Sequence, residues 1–187
     1  MSLAFIFPGQ GSQAVGMGAD LAEAFGAARE VFQEVDEALG PKLFALMREG
    51  PEGDLTLTEN AQPALMAVSL AVTRTLEKEF GVSIEKAAFV AGHSLGEYSA
   101  LAAAGAISLA DTARLLKLRG QAMQRAVPVG AGAMASLIGP KTDVALAEAA
   151  AEAGSKVGVC VVANDNNNGN VVISGDKAAV DVAIEKA

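Results

Sequence analysis

The stretch that most constrains this chain is Gly92-His93-Ser94-Leu95-Gly96. It lies between an apolar run, Ala87 to Ala91, and a segment rich in Ala and Leu whose spacing predicts a helix. Strand, sharp turn, helix is the context in which Gly-x-Ser-x-Gly forms a nucleophile elbow. Glycines flank the serine because so tight a turn leaves no room for a Cβ beside the neighbouring strand or helix. The serine hydroxyl then stands at the carboxyl end of a strand, and the Leu95 N–H points toward any oxyanion formed there. An ordinary turn of small residues would share the five-residue pattern, so the flanks on both sides carry the functional reading.

The rest of the chain reads as α/β. Leu3 to Phe7 is a short buried strand stopped by Pro8, and helical patterns run over 19–25, 27–39 and 41–49. The segment PEGDLTLTEN, residues 51–60, reads as loop. Pro63 falls where a first helical turn tolerates proline, and Gly81 caps that helix after Phe80. Gly105 ends the helix after the elbow, Ser108 caps another reaching about Val127, and Pro128 and Gly130 break the chain. Short elements then alternate: a strand over 131–138, a helix over 142–153 closed by Gly154, strands over 156–162 and 171–174, and a helix from Asp176 to Lys186. That order, β-α-β-β-α, is the ferredoxin-like split pattern without its last strand. The expected organisation is a large α/β domain over 1–127 and a small ferredoxin-like subdomain over 128–187. Two strands among many helices do not make a sheet core, so both parts are expected to be incomplete at the carboxyl end. The chain is accordingly expected to be the amino-terminal part of a longer protein.

Arg119 is the second informative residue. On a helical wheel Leu109, Ala113, Leu116, Gly120, Met123 and Val127 form an apolar stripe, opposite Arg114, Lys117, Gln121 and Arg125. Arg119 falls between Thr112 and Ala126, on the arc that should face the protein. A cation there calls for an anionic partner, which leaves a structural salt bridge, a stem buried with its head in water, and a ligand carboxylate all open. His93 is the one histidine, and as Ser94's immediate neighbour it should point away from the hydroxyl and pack at the elbow. Hydrolases with this elbow carry their acid and histidine after the serine, and no histidine follows here.

Other features are bland. Gly9-Gln10-Gly11-Ser12-Gln13-Ala14 formally fits a dinucleotide fingerprint after a strand. The acids about 20 residues on, Glu34 and Asp36, lie inside a helical pattern instead. Asn164 to Gly169 reads as a turn, and no metal-ligand spacing is present. The single cysteine, Cys160, reads as a small core residue and makes no intrachain disulfide, which suits a cytoplasmic protein. A net charge of −8 argues against nucleic acid or an anionic membrane as partner. Lys117, Arg114 and Arg125 read as a solvated helix face more readily than as a dock for an acidic protein.

Several linked motifs occur in order: FxFPGQGSQ, QPA, GHSLGEYSAL, LRGxxMQ and N-x-N…VVISG. Together they resemble the malonyl-CoA:acyl carrier protein transacylase family over essentially the whole chain. The resemblance implies a large α/β domain with a nucleophile elbow, and a small ferredoxin-like domain inserted after it. It also implies malonyl transfer from malonyl-CoA to the phosphopantetheine thiol of acyl carrier protein, feeding fatty acid elongation, with no cofactor. By the same resemblance Ser94 becomes malonylated, the N–H groups of Gln10 and Leu95 form the oxyanion hole, and Arg119 clamps the free malonyl carboxylate. The family's catalytic histidine falls in a motif beyond Ala187, so the chain alone is expected to be inactive. Many relatives also carry proline and glutamine at the positions of Asn168 and Asn170. A serine thioesterase or esterase with the same elbow, or an inactive fragment serving as an interaction module, are the alternatives.

Overall fold

The computed structural model describes residues 2–40 and 42–187. The chain divides into two units, Met1–Arg125 and Ala126–Ala187, each an α/β arrangement with its own apolar core.

In the first unit, strand β1 (Ala4–Phe7) is followed by helices α1 (Ala19–Ala24), α2 (Gly26–Leu39), α3 (Leu43–Glu49), α4 (Glu52–Thr56) and α5 (Thr58–Phe80). Strand β2 (Phe89–Gly92), α6 (Leu95–Ala103) and α7 (Leu109–Ala126) complete it. The expected helix start at Pro41 lies outside the described residues. Helix α5 is the central post: Ala64, Ala67 and Ala71 are buried, small enough to let neighbouring helices approach closely. Val31, Phe32 and Val35 of α2 pack in the same core, where Phe32 stacks on Phe44 of α3 at 4.2 Å between centroids. Burying each such side chain is worth roughly 1.5–3 kcal/mol. β1 and β2 pair in parallel from Ala4↔Phe89 to Phe7↔Gly92. Ile6 and Phe89 of this pair remain 81% and 73% exposed, although parallel sheets are ordinarily covered on both faces.

Residues 51–60 depart from the expected loop. Helix α4 and the first turn of α5 occupy them, and α5 begins five residues before Pro63. The ring of Pro63 therefore sits inside a helix, where it removes one i→i−4 donor.

The second unit contains β3 (Gly132–Ile138), α8 (Val144–Gly154), β4 (Cys160–Asp165), β5 (Asn170–Asp176) and α9 (Lys177–Lys186). Its antiparallel sheet has the order β3-β5-β4, with a register irregularity between Val162 and Asn164. Leu137, Val171 and Ile173 face a core closed by alanines of α8 and α9, whereas Met134, Ile138 and Val161 stay exposed. The β4–β5 turn carries Asn167 and Asn168 at φ 64° and 47°, the left-handed region that asparagine tolerates. Cys160 is buried here, and burial pushes its thiol up.

Candidate active site

Because β1 and β2 are parallel, the loop from Pro8 and the turn from His93 leave the sheet at the same end. The His93 N–H donates to the Phe7 carbonyl at 3.2 Å, extending the pairing by one rung. Ser94 then takes φ 55° and ψ −113°, a costly conformation for a non-glycine residue, and α6 starts at Leu95. Local contacts hold that geometry. The Gly96 and Glu97 N–H groups donate to the His93 and Ser94 carbonyls at 2.9 and 3.1 Å. A Cβ on Gly92 would lie 2.0 Å from the Gly96 carbonyl, and one on Gly96 would lie 2.3 Å from the Phe7 oxygen. Both glycines are therefore dictated by space. The Leu95 N–H is the first of α6 and has no carbonyl partner within the helix.

Arg119 reaches this turn from α7. Its Nη2 donates to Ser94 Oγ at 3.0 Å and its Nη1 donates to Gln62 Oε1. The guanidinium carbon stands 5.9 Å from the Tyr98 ring centroid, within cation–π range. Arg119 is half-buried, and its partners among the described residues are neutral. Of the three readings that the helical wheel leaves open, the salt bridge is thus not the one realised. A guanidinium with no carboxylate in salt-bridge reach among the described residues is suited to receive an anionic group.

Gln62 and Thr58 complete the surroundings. Gln62 is fully buried at 0% exposure, and its Nε2 donates to Thr58 Oγ1 at 2.8 Å and to Met123 Sδ at 3.3 Å. Thr58 Oγ1 donates in turn to Gln10 Oε1 at 2.9 Å. Neither Thr58 nor Tyr98 stands out in the sequence. Gln62 carries a signal in hindsight, an amide within the apolar run AQPALMAV that must find a partner once buried. Gly120 lets the two helices meet: a Cβ there would lie 2.4 Å from Glu59 Cα.

Other expectations change. Met123 stays half-exposed beside Gln62, and α7 ends before Val127, so the apolar stripe stops at Gly120. Lys117 does not belong to a wet face, since it bonds Glu59 at 3.1 Å and Asn60 at 2.8 Å; Arg114 is held by Asp111 at 3.0 Å. Ser108 does cap α7, accepting from the Asp111 N–H at 3.1 Å. The His93 ring lies toward Gly9, where a Cβ would be 2.7 Å from Nδ1, while the residue as a whole remains exposed. The Gly9–Ala14 loop does not open a helix, because α1 begins only at Ala19; Glu34 and Asp36 lie within α2. Among the described residues no three acids, histidines or cysteines gather as a metal cluster, and no helix is long and apolar enough to cross a membrane.

Residues 4–187 match the family described as acyl transferase domain. The malonyl CoA-acyl carrier protein transacylase of Escherichia coli K12 is 48% identical over 180 residues, covering 96% of this chain and 57% of that protein. An acyl-carrier-protein-S-malonyltransferase from Bartonella henselae superposes with a TM-score of 0.89 at 58% identity, covering 99% of this chain and 58% of that one. A malonyl-transacylase solved in complex with its type II PKS acyl-carrier protein superposes with a TM-score of 0.88 at 43% identity, over 100% of this chain and 59% of that one. The chain thus spans somewhat over half the length of the relatives it matches.

Proposed function

The chain belongs to the acyl transferase domain family, and from that premise we propose that it forms the nucleophile-bearing part of a malonyl-CoA:acyl carrier protein transacylase. Residues 1–127 are its large α/β domain with Ser94 at a nucleophile elbow, and 128–187 are a ferredoxin-like small subdomain. The β3-β5-β4 order, with α8 and α9 on one face, supports the second assignment. The use of malonyl-CoA and acyl carrier protein as partners accords with the relatives' names, and a cytoplasmic enzyme that needs no cofactor belongs to the same proposal.

In the proposed reaction Ser94 Oγ attacks the malonyl thioester and its proton passes to a base outside these residues. The tetrahedral oxyanion is held by the N–H groups of Leu95 and Gln10, each such donor being worth about 3 kcal/mol of barrier. Collapse expels the coenzyme A thiolate, which takes the proton and leaves malonyl-Ser94. The pantetheine thiol of the carrier protein then repeats the attack and regenerates the serine. Arg119 holds the malonyl carboxylate throughout. The bond from its Nη2 to Ser94 Oγ also favours the alkoxide form of the serine.

One observation carries this reading: the guanidinium of Arg119, a half-buried residue with only neutral hydrogen-bond partners among the described residues, stands 3.0 Å from the serine hydroxyl. A thioesterase or esterase for neutral acyl groups has no use for such a cation. In the full-length protein Arg119→Ala is expected to depress malonyl transfer far more than acetyl transfer. Equal losses with both acyl groups would sink the clamp assignment.

A further inference from the structure

The first two turns of α5 link the clamp to the loop after β1. Arg119 Nη1 donates to Gln62 Oε1, Gln62 Nε2 donates to Thr58 Oγ1 at 2.8 Å, and Thr58 Oγ1 donates to Gln10 Oε1 at 2.9 Å. Every donor points the same way, from the cation on α7 through one face of α5 to Gln10. Thr58 and Gln62 are four residues apart and so share that face. The threonine hydroxyl has a single proton, and committing it to Gln10 leaves its lone pair for Gln62. Gln62 is fully buried, so its amide has no water with which to exchange partners. The spacing is fixed as well, because the Gly120 backbone abuts Thr58 O and Glu59 Cα.

We propose that Thr58 is a positioning residue that couples the carboxylate clamp to the oxyanion loop. The proposal rests on the roles given to Arg119 and Gln10 above. A guanidinium engaged by a carboxylate heads a chain of hydrogen bonds that polarise one another. That chain ends on the Gln10 side chain and keeps the Gln10 N–H directed at the thioester oxygen. Acyl groups without a carboxylate leave the guanidinium that heads the chain unanchored, hold the chain less firmly in place and draw less on Thr58.

The test uses the full-length protein carrying this segment, with Ser94 acylation followed by intact mass under single-turnover conditions. Thr58→Val keeps the shape and removes the hydroxyl; it is expected to slow malonylation about tenfold, with half-saturation by malonyl-CoA moving less than about threefold. Acetylation should slow less, and Thr58→Ser should restore malonylation to within about threefold of the parent. Gln10→Leu removes the acceptor at the far end and should reproduce the deficit. Combined with Thr58→Val it should add nothing, because both changes cut one chain. Additive losses, equal losses on both acyl groups, or no rescue by serine would overturn the coupling. Should Thr58→Val fail to fold, Gln10→Leu and Thr58→Ser decide it by the same comparisons. A parent protein that malonyl-CoA does not acylate at Ser94 would instead defeat the functional reading beneath.

Discussion

At the residue scale, Gly120 sets how closely α7, which carries Arg119, approaches α5. The methyl introduced by Gly120→Ala would meet backbone, at 2.4 Å from Glu59 Cα and 2.7 Å from Thr58 O, so α7 would have to back away from α5. Overpacking of this kind costs about 1–3 kcal/mol. The displacement would also stretch the bond from Arg119 to Gln62, so malonyl transfer should fall further than the stability loss explains. Gly53→Ala in α4 is the control: nothing lies within 4 Å of the new Cβ, and a gain of up to about 1 kcal/mol from helix propensity is expected. Urea unfolding of the two variants distinguishes them. If Gly120→Ala were as stable as Gly53→Ala, the close approach of the helices would not be what seats the arginine. The odd position of Arg119 was legible on a helical wheel because periodicity is a property of one helix. Its partners were not, because Gln62 and Tyr98 lie on other elements.

At the element scale, the joint between α2 and α3 rests on Asp36. Its Oδ1 accepts from the Phe44 N–H at 3.0 Å, yet burial pushes the carboxyl up, outweighing the opposing backbone hydrogen bonds from Phe44 and Leu43. A carboxyl raised in the folded state binds protons more readily there than in the unfolded chain. It therefore costs stability above its folded pKa, and that cost fades as pH falls through the window toward the unfolded value. Asp36→Asn keeps the acceptor and removes the charge. Stability at pH 7 should hold or rise by up to about 1 kcal/mol, and the gap to the parent should close near about pH 4. Urea midpoints at the two pH values test this; a variant clearly weaker at pH 7 would mean that the charge itself holds α3. The same scale explains which elements the sequence made legible. Strand, Ser94 turn and α6 followed from glycine placement, since the steric demand is local. Residues 51–60 did not read as helix, because they lack an apolar period and are anchored by Leu55, fully buried in the core. Val157 and Val159 alternate like a strand but remain 60% and 63% exposed, and β4 starts only at Cys160.

For the whole molecule, the question is what the site still needs in order to turn over. Ser94 has the Arg119 guanidinium donating to its hydroxyl and a first helical N–H beside it, but in the proposed reaction a neutral serine also needs a group to take its proton. The sequence has one histidine, and the His93 ring is turned toward Gly9. Loss of a triad base typically costs on the order of 10⁶-fold in turnover. The 187-residue chain by itself is therefore expected to move malonyl from coenzyme A to carrier protein at the background rate of its Ser94→Ala variant. On the proposed reading, a protein that carries this segment at its relatives' length should exceed that rate by several orders of magnitude. The comparison needs one assay and three proteins, with folding checked by far-UV circular dichroism so that a collapsed chain is not mistaken for a baseless one. If the 187 residues alone matched the full-length rate, the base would lie among them. His93→Ala would then be the first variant to make, since the orientation of that ring is what argues against it.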